Sequence, residues 1–309
     1  MTVDQVTYLV FGIVLLIAVV LDLGLLSKRT AEMSIKKALT QTLLWVALAM
    51  AFFGFLWWYE GHVMAIEYVS AYLMEWSLSI DNIFVFILIF TFFNIPPKYS
   101  ARALLIGILM AIILRILFIT AGIALVNKFE WILYIFGAFL VYTGIKIFTV
   151  KQEDEFSPVD NPVYKFLNRF FPILNDDKSG KMIVKKDGKR FYTNMFVVVV
   201  LLATTDIVFA LDSIPAIFAI SQERLVIYTS NIFAVLGLRS LFFLLKGAVT
   251  KFEYLQQGIA IVLIFIGLKM LAEFFHFELP VWVSLLVIIV CLSGSIIYSA
   301  YVAKRRPKA

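Results

Sequence analysis

The chain has 309 residues, of which 62% are hydrophobic, 16% aromatic and only 16% charged, with a formal net charge of +6. That balance lies outside the range of a water-soluble globular domain and identifies an integral membrane protein. A single cysteine, Cys291, excludes an intramolecular disulfide and gives redox chemistry no support.

Runs of about 20 apolar residues, the length that crosses a bilayer, predict nine spans in chain order. They fall at roughly 7–26, 38–59, 68–93, 102–126, 131–150, 193–220, 226–245, 254–275 and 280–303. No positive stretch precedes the first run, so a transmembrane helix is expected there rather than a cleaved signal peptide. Segments 27–37, 94–102, 151–192, 246–253 and 304–309 carry 21 of the 27 Lys and Arg. The alternate segments hold Lys128 and Arg224 and are otherwise acidic, as at Glu60, Glu67, Glu273 and Glu278. This asymmetry predicts an outside N-terminus and a cytosolic C-terminus. The positive charge is thereby a topology signal that needs no nucleic-acid partner.

The third and sixth spans resemble each other. Glu75 and Asp81 are six apart in "EWSLSIDN", as are Asp206 and Asp212 in "DIVFALDS". Further on, "FEWILYIFGAFLVYTGIK" matches "FEYLQQGIAIVLIFIGLK", aligning Glu130 with Glu253, Gly144 with Gly267 and Lys146 with Lys269; Arg115 and Arg239 fill another matched position. Each unit holds three spans, and an odd number forces the second unit to enter from the opposite side. The expected organisation is therefore two N-terminal spans (1–67), a first repeat (68–150), a cytosolic loop (151–192), an inverted second repeat (193–275), and a last span with a basic tail (276–309). The fold class is all-α, with about nine transmembrane helices. In transporters built this way the substrate site lies near the midplane, where the repeats meet. The loop mixes nine bases with seven acids, and its β-prone runs around Asp187 and Gly188 predict a hairpin in a lid or docking segment, or a solvated linker.

At about 1.5 Å per residue, Asp81 lies roughly 20 Å from the outer end of its span and Asp206 roughly 20 Å from the inner end of its own. Four unpaired acids at such depth cost about 10 to 14 kcal/mol on insertion scales, so something must compensate. One reading is an internal salt-bridge network with Arg115, Lys146, Arg239 and Lys269. The other is a cation site, because Asp81 is followed by Asn82 and Asp212 by Ser213, and hard divalent ions take carboxylates supplemented by neutral oxygens. Pro215 cannot donate to the carbonyl of Leu211, which predicts a helix break with a freed carbonyl beside Asp212. Positions six apart are about 120° apart around a helix, so one helix does not bring both of its acids to one ion. The expected site pairs Asp81 and Asp212 across the repeats, with Glu75 and Asp206 as further ligands or relays. Arg115 and Arg239 are read as counter-ions or gates, and Lys146 and Lys269 either couple to protons or snorkel. His62 and His276 fall on outer loops. Tyr142, Thr143, Thr204, Thr205 and Asn231 are expected to bond to helix carbonyls.

At "SLSIDNIFVF" and "DIVFALDSIPAIFA" the sequence resembles the TerC/Alx family of bacterial membrane proteins, and the match extends through "WILYIFGAFLVYTGIK", "TSNIFAVLGLRSLFFLL" and the loop. The resemblance implies a nine-span fold related to LysE-type exporters, placement in the bacterial cytoplasmic membrane, and an association with manganese export, with manganese delivery to exported proteins and with tellurium resistance. The matching motif acids are Glu75, Asp81, Asp206 and Asp212. Many relatives carry a further acid where this chain has Ala203, which bears on the ligand complement. The leading expectation is a Mn²⁺ exporter, or exporter of another divalent cation, with no tightly bound cofactor. The alternatives are export of an amino acid or small organic solute, and a membrane scaffold or metallochaperone that meets secretion machinery or exported metalloproteins. No catalytic triad, phosphate loop or metalloprotease pattern points to an enzyme.

Overall fold

The computed structural model describes residues 6–17, 34–129, 131–149, 161–174, 180–186, 188–246, 254–275, 277 and 279–305. The side chains of Asp81 and Asp212 lie outside the described residues, as do Glu130, Asp187, Glu253, His276 and Glu278. The helices are α1 (Val6–Ile17), α2 (Ile35–Tyr59), α3 (His62–Phe92), α4 (Pro97–Lys128), α5 (Ile132–Thr149), α6 (Pro162–Phe170), α7 (Asn194–Phe218), α8 (Arg224–Leu236), α9 (Leu238–Leu245), α10 (Leu255–Glu273) and α11 (Val281–Arg305). Among the described residues six of them are long and apolar enough to cross a membrane, or seven if the bent pair α8 and α9 is one span; Val6–Ile17 and Ile132–Phe148 are apolar but shorter.

Short turns make consecutive helices antiparallel. At the α3–α4 turn Asn94 adopts φ 49°, and Pro97 opens α4 at a position where a missing N–H costs nothing. Between α5 and α7 lies a small sheet. Strand β2 (Ile183–Lys186) pairs antiparallel with β3 (Lys189–Thr193), and Gly188, φ 74°, takes the left-handed turn geometry that glycine permits. A two-residue β1 (Ile173–Leu174) joins β3 in parallel. This sheet and α6 sit where α3 ends and α7 begins; that side is the hairpin end. Aromatic residues collect at the opposite end, at the α2–α3, α4–α5 and α10–α11 turns: Trp58, Trp131, Phe275 and Trp282 are all exposed, as expected of a girdle at a membrane interface.

Helices in lipid gain little from the hydrophobic effect and associate through close packing and polar contacts. The pair α5 and α10 shows how close. A Cβ built on Gly267 would stand 2.6 Å from the carbonyl oxygen of Gly137, and one on Gly144 would stand 2.8 Å from that of Ala260. Only hydrogen fits at these crossings. Elsewhere α4 packs on α7, and α3 on both α7 and α8. Phe11, Phe52, Tyr68 and Phe233 form one aromatic cluster joining α1, α2, α3 and α8, with ring centroids from 5.2 to 6.2 Å apart. Tyr68 resolves its hydroxyl by donating to the carbonyl of Ala49 at 3.2 Å.

The helix break is not at the proline. Helix α7 runs through the buried Pro215 to Phe218, so losing the one bond to the Leu211 carbonyl does not end the helix. The bend falls at Gly237 instead, where α8 and α9 meet at 42°. Glycine carries no Cβ to stiffen the turn, and it caps both helices.

Candidate functional site

Four helices deliver one buried polar cluster. Glu75 from α3, Arg115 from α4, Asp206 from α7 and Asn231 from α8 are each 1% exposed or less. Glu75 lies 13 residues into α3 and Asp206 12 residues into α7, so both are about 20 Å from a helix end. Arg115 donates through Nε to Asp206 Oδ2 at 2.6 Å and through Nη2 to Oδ1 at 2.9 Å. Its Nη1 donates to Glu75 Oε1 and, at 2.9 Å, to Asn231 Oδ1. The rigid guanidinium fork suits this bidentate grip, and the charge cannot be shed by deprotonation.

The cluster is not closed. Among the described residues Glu75 Oε2, Ser79 Oγ, Ser213 Oγ and Asn231 Nδ2 are buried without a hydrogen-bond partner. Such groups are costly unless a water, an ion or another polar partner meets them. Ser79 lies one helical turn from Glu75, and Ser213 two turns from Asp206, so each shares its acid's helix face. Asp81 and Asp212 continue the same two helices. Asn82 and Arg239 are buried, both 2% exposed. Among the described residues no group of three or more His, Cys, Asp or Glu converges as a ready metal cage.

Several expected members stand elsewhere. Lys146 is exposed rather than buried. It lies two residues past Gly144, about 200° around α5, so packing the glycine face on α10 turns the lysine outward. Lys269, its match, is buried and donates to the carbonyl of Ala219 at 3.2 Å. Nearby, Ser221 Oγ donates to Glu67 Oε2 at 2.5 Å, so hydrogen bonds join α3, α10 and the α7–α8 turn at the end opposite the hairpin. Asn231, expected to bond to a helix carbonyl, accepts from Arg115 instead; its isolation as an amide in an apolar span is the signal in the sequence. Thr204 and Thr205 do bond to the carbonyls of Val200 and Leu201. Tyr142 is exposed at 62%. His62 opens α3 with its ring 6.1 Å from Trp57.

Phe86, Leu104, Gly107, Ile108, Ala111, Leu202 and Leu238 surround Asp206 on one side of the cluster, packed too closely to leave room for a water molecule. Every one of these residues lies toward the hairpin end of its helix from the cluster.

Comparison with known proteins adds a lineage. The model of the "Integral membrane protein TerC family" matches residues 60–307. The chain is 37% identical to a Salmonella typhi protein named "Putative membrane-bound redox modulator Alx" over 308 residues, covering 96% of this chain and 95% of that one. The Escherichia coli K12 protein of the same name is 39% identical with the same coverage. An uncharacterized membrane protein of Myxococcus xanthus, STKORF319, is 40% identical over 287 residues, covering 93% and 89%. No solved structure matches the chain.

Proposed function

The chain belongs to the TerC family of integral membrane proteins, and from that premise we propose that it exports a divalent cation, Mn²⁺ by preference, through alternating access of two inverted three-helix repeats. The observation that carries this reading is the meeting of Glu75 and Asp206, one acid from each repeat, on one buried guanidinium, that of Arg115. The oxygen-rich surroundings favour a hard cation.

The packing supports the repeats. Exchanging α3 with α7, α4 with α8 and α5 with α10 maps the contact of α3 on α8 onto that of α7 on α4, and leaves α5 on α10 unchanged. Even the glycines obey it. The offset that takes Gly144 to Gly267 takes Gly137 to Ala260, so the approach of Gly267 to Gly137 and that of Gly144 to Ala260 are one contact seen twice. The α1, α5 and bent α8–α9 segments complete nine spans, with the N-terminus outside and the C-terminus in the cytosol of a bacterial inner membrane.

In this reading Arg115 is the resident cation of the empty site. It orients Glu75 and Asp206 while Asp81 and Asp212, with Asn82 and Ser213, form the first ligands for the entering metal. The ion enters from the cytosol when the packing around Asp206 at the hairpin end opens, and leaves past Glu67, Ser221 and Lys269. Arriving double charge loosens the hold of Arg115 on its acids, which ties occupancy to the packing of α4 against α3 and α7. Arg239 is the matched counter-ion of the second repeat.

Mn²⁺ entry into everted vesicles, comparing the parent with Asp81→Asn and Asp212→Asn and adding Ca²⁺ or Zn²⁺ as competitors, tests the reading. Entry that needs both aspartates is expected; normal entry in both variants would falsify it. The redox name of the relatives offers a second reading, but a chain with one cysteine cannot itself cycle a dithiol. A metal exporter that supplies redox enzymes outside the membrane reconciles the two.

A further inference from the structure

We propose that α6 is an interfacial anchor, laying Phe166 and Phe170 into the bilayer surface and setting Lys165 and Arg169 on anionic lipid headgroups. The inference rests on the membrane-protein family and on local geometry, and it is independent of what the protein transports.

The helix is built to stay in place. Asn161 accepts a hydrogen bond from Val163 N at 2.8 Å, and Pro162 opens the first turn. Leu167 is buried, and the Tyr164 ring stands 5.5 Å from Phe93 at the end of α3. Just past the helix, the Phe171 ring lies 5.9 Å from Phe196 in the first turn of α7. One face of α6 is therefore pinned to the level at which two long apolar helices end, the level of the bilayer surface.

The aromatic rings of the other face are exposed among the described residues. Phe166 and Phe170 are 55% and 62% exposed, with ring centroids 4.6 Å apart on adjacent turns. Phe92, 44% exposed at the end of α3, continues the apolar surface toward the lipid-facing flank of the bundle. Lys165 and Arg169 flank the rings and are also exposed, and the guanidinium of Arg169 lies over Phe170 at 5.8 Å. Nine residues cannot span a bilayer. A short helix with aromatic rings on one flank and cations beside them matches an element lying in the interface, where buried apolar area and attraction to anionic lipid add. Exposed Lys185, Lys186, Lys189 and Arg190 on the adjoining hairpin add positive charge at the same end, and the loop 151–192, with nine bases and seven acids, keeps a net charge of the sign that an anionic surface complements. The location at the helix ends selects lipid over a soluble acidic partner.

The test uses the full chain with Cys291→Ser and a nitroxide on Phe166→Cys, reconstituted in nanodiscs of phosphatidylcholine alone or mixed equally with phosphatidylglycerol. Collision with oxygen and with a water-soluble nickel chelate reports immersion. In mixed discs the label is expected to be oxygen-accessible and nickel-shielded, with the nickel shielding several-fold weaker in phosphatidylcholine alone or after Lys165→Gln with Arg169→Gln. A label freely reached by nickel in both compositions overturns the anchor and leaves the face to a soluble partner. Immersion indifferent to both composition and the charge variants overturns the headgroup contact. Variants are compared only where their gel-filtration profile matches the parent.

Discussion

Arg115 and Asp206 are joined by two parallel hydrogen bonds, at 2.6 and 2.9 Å, in a site from which solvent is excluded. The same guanidinium reaches Glu75 and Asn231, so one side chain from α4 holds together three other helices. A charge buried this deeply is tolerable only while its partners remain.

Removing the arginine alone therefore strands two carboxylates. Arg115→Met is expected to destabilise the protein by about 3–5 kcal/mol, read as a lower midpoint of thermal unfolding in detergent. Adding Glu75→Gln and Asp206→Asn should recover part of that loss, because the stranded charges go with the arginine. A triple variant no more stable than Arg115→Met would mean that the guanidinium acts by packing and not by charge.

Asn231 offers a milder probe of the same cluster. Asn231→Ala deletes an acceptor for Arg115 Nη1 and a buried amide nitrogen that has no partner among the described residues. The two effects oppose each other, so the net loss should stay at about 1–2 kcal/mol, the range of interhelical hydrogen bonds in membranes. Asn231→Leu, which keeps the volume, should be no worse. A loss as large as that of Arg115→Met would place Asn231 among the essential partners of the arginine.

The glycines divide by their surroundings. A methyl group at Gly267 meets the Gly137 carbonyl oxygen at 2.6 Å and the Val141 backbone nitrogen at 2.9 Å, whereas one at Gly54 in α2 meets nothing within 4 Å. Backbone cannot yield as a flexible side chain can, so Gly267→Ala should cost about 1–3 kcal/mol through forced separation of α5 and α10. Gly54→Ala should gain about 0.5–1 kcal/mol from reduced backbone freedom in the unfolded chain. The paired unfolding midpoints check both signs in one experiment.

Much of this was legible because membranes make sequence rules severe. Apolar runs land on long helices, as 38–59 does on Ile35–Tyr59, since lipid leaves backbone groups no other solution. Gly188 marked its turn because few other residues accept a positive φ. What stayed hidden depends on how helices rotate against each other. Arg115 and Glu75 are visible as expensive residues, yet nothing in their spacing says that one guanidinium would collect acids from both α3 and α7. Lys146 and Lys269 occupy matched positions, but α5 leaves its lysine outside while α10 buries its own. The break at Gly237 was obscured by Pro215, the stronger breaker in isolation, which α7 nevertheless carries within its length.

That bend yields the last prediction. Gly237 has ordinary helical geometry, φ −76° and ψ −14°, and an added Cβ would find only Trp45 Cβ at 3.7 Å and Ala234 O at 3.8 Å. Alanine is sterically admissible there, so close approach does not explain the glycine. What remains is compliance: α8 carries Asn231 and α9 carries Arg239, and a bend of 42° between them can change only if the joining residue moves easily. Gly237→Ala should then preserve the fold and raise its stability by about 0.5–1 kcal/mol, while lowering the maximal rate of Mn²⁺ entry into everted vesicles several-fold at unchanged apparent affinity. That split separates a hinge from a ligand-positioning residue, since a shifted Asn231 or Arg239 would alter affinity as well. Unchanged transport with the gain in stability would make the bend a fixed feature of the scaffold and move the flexible element elsewhere.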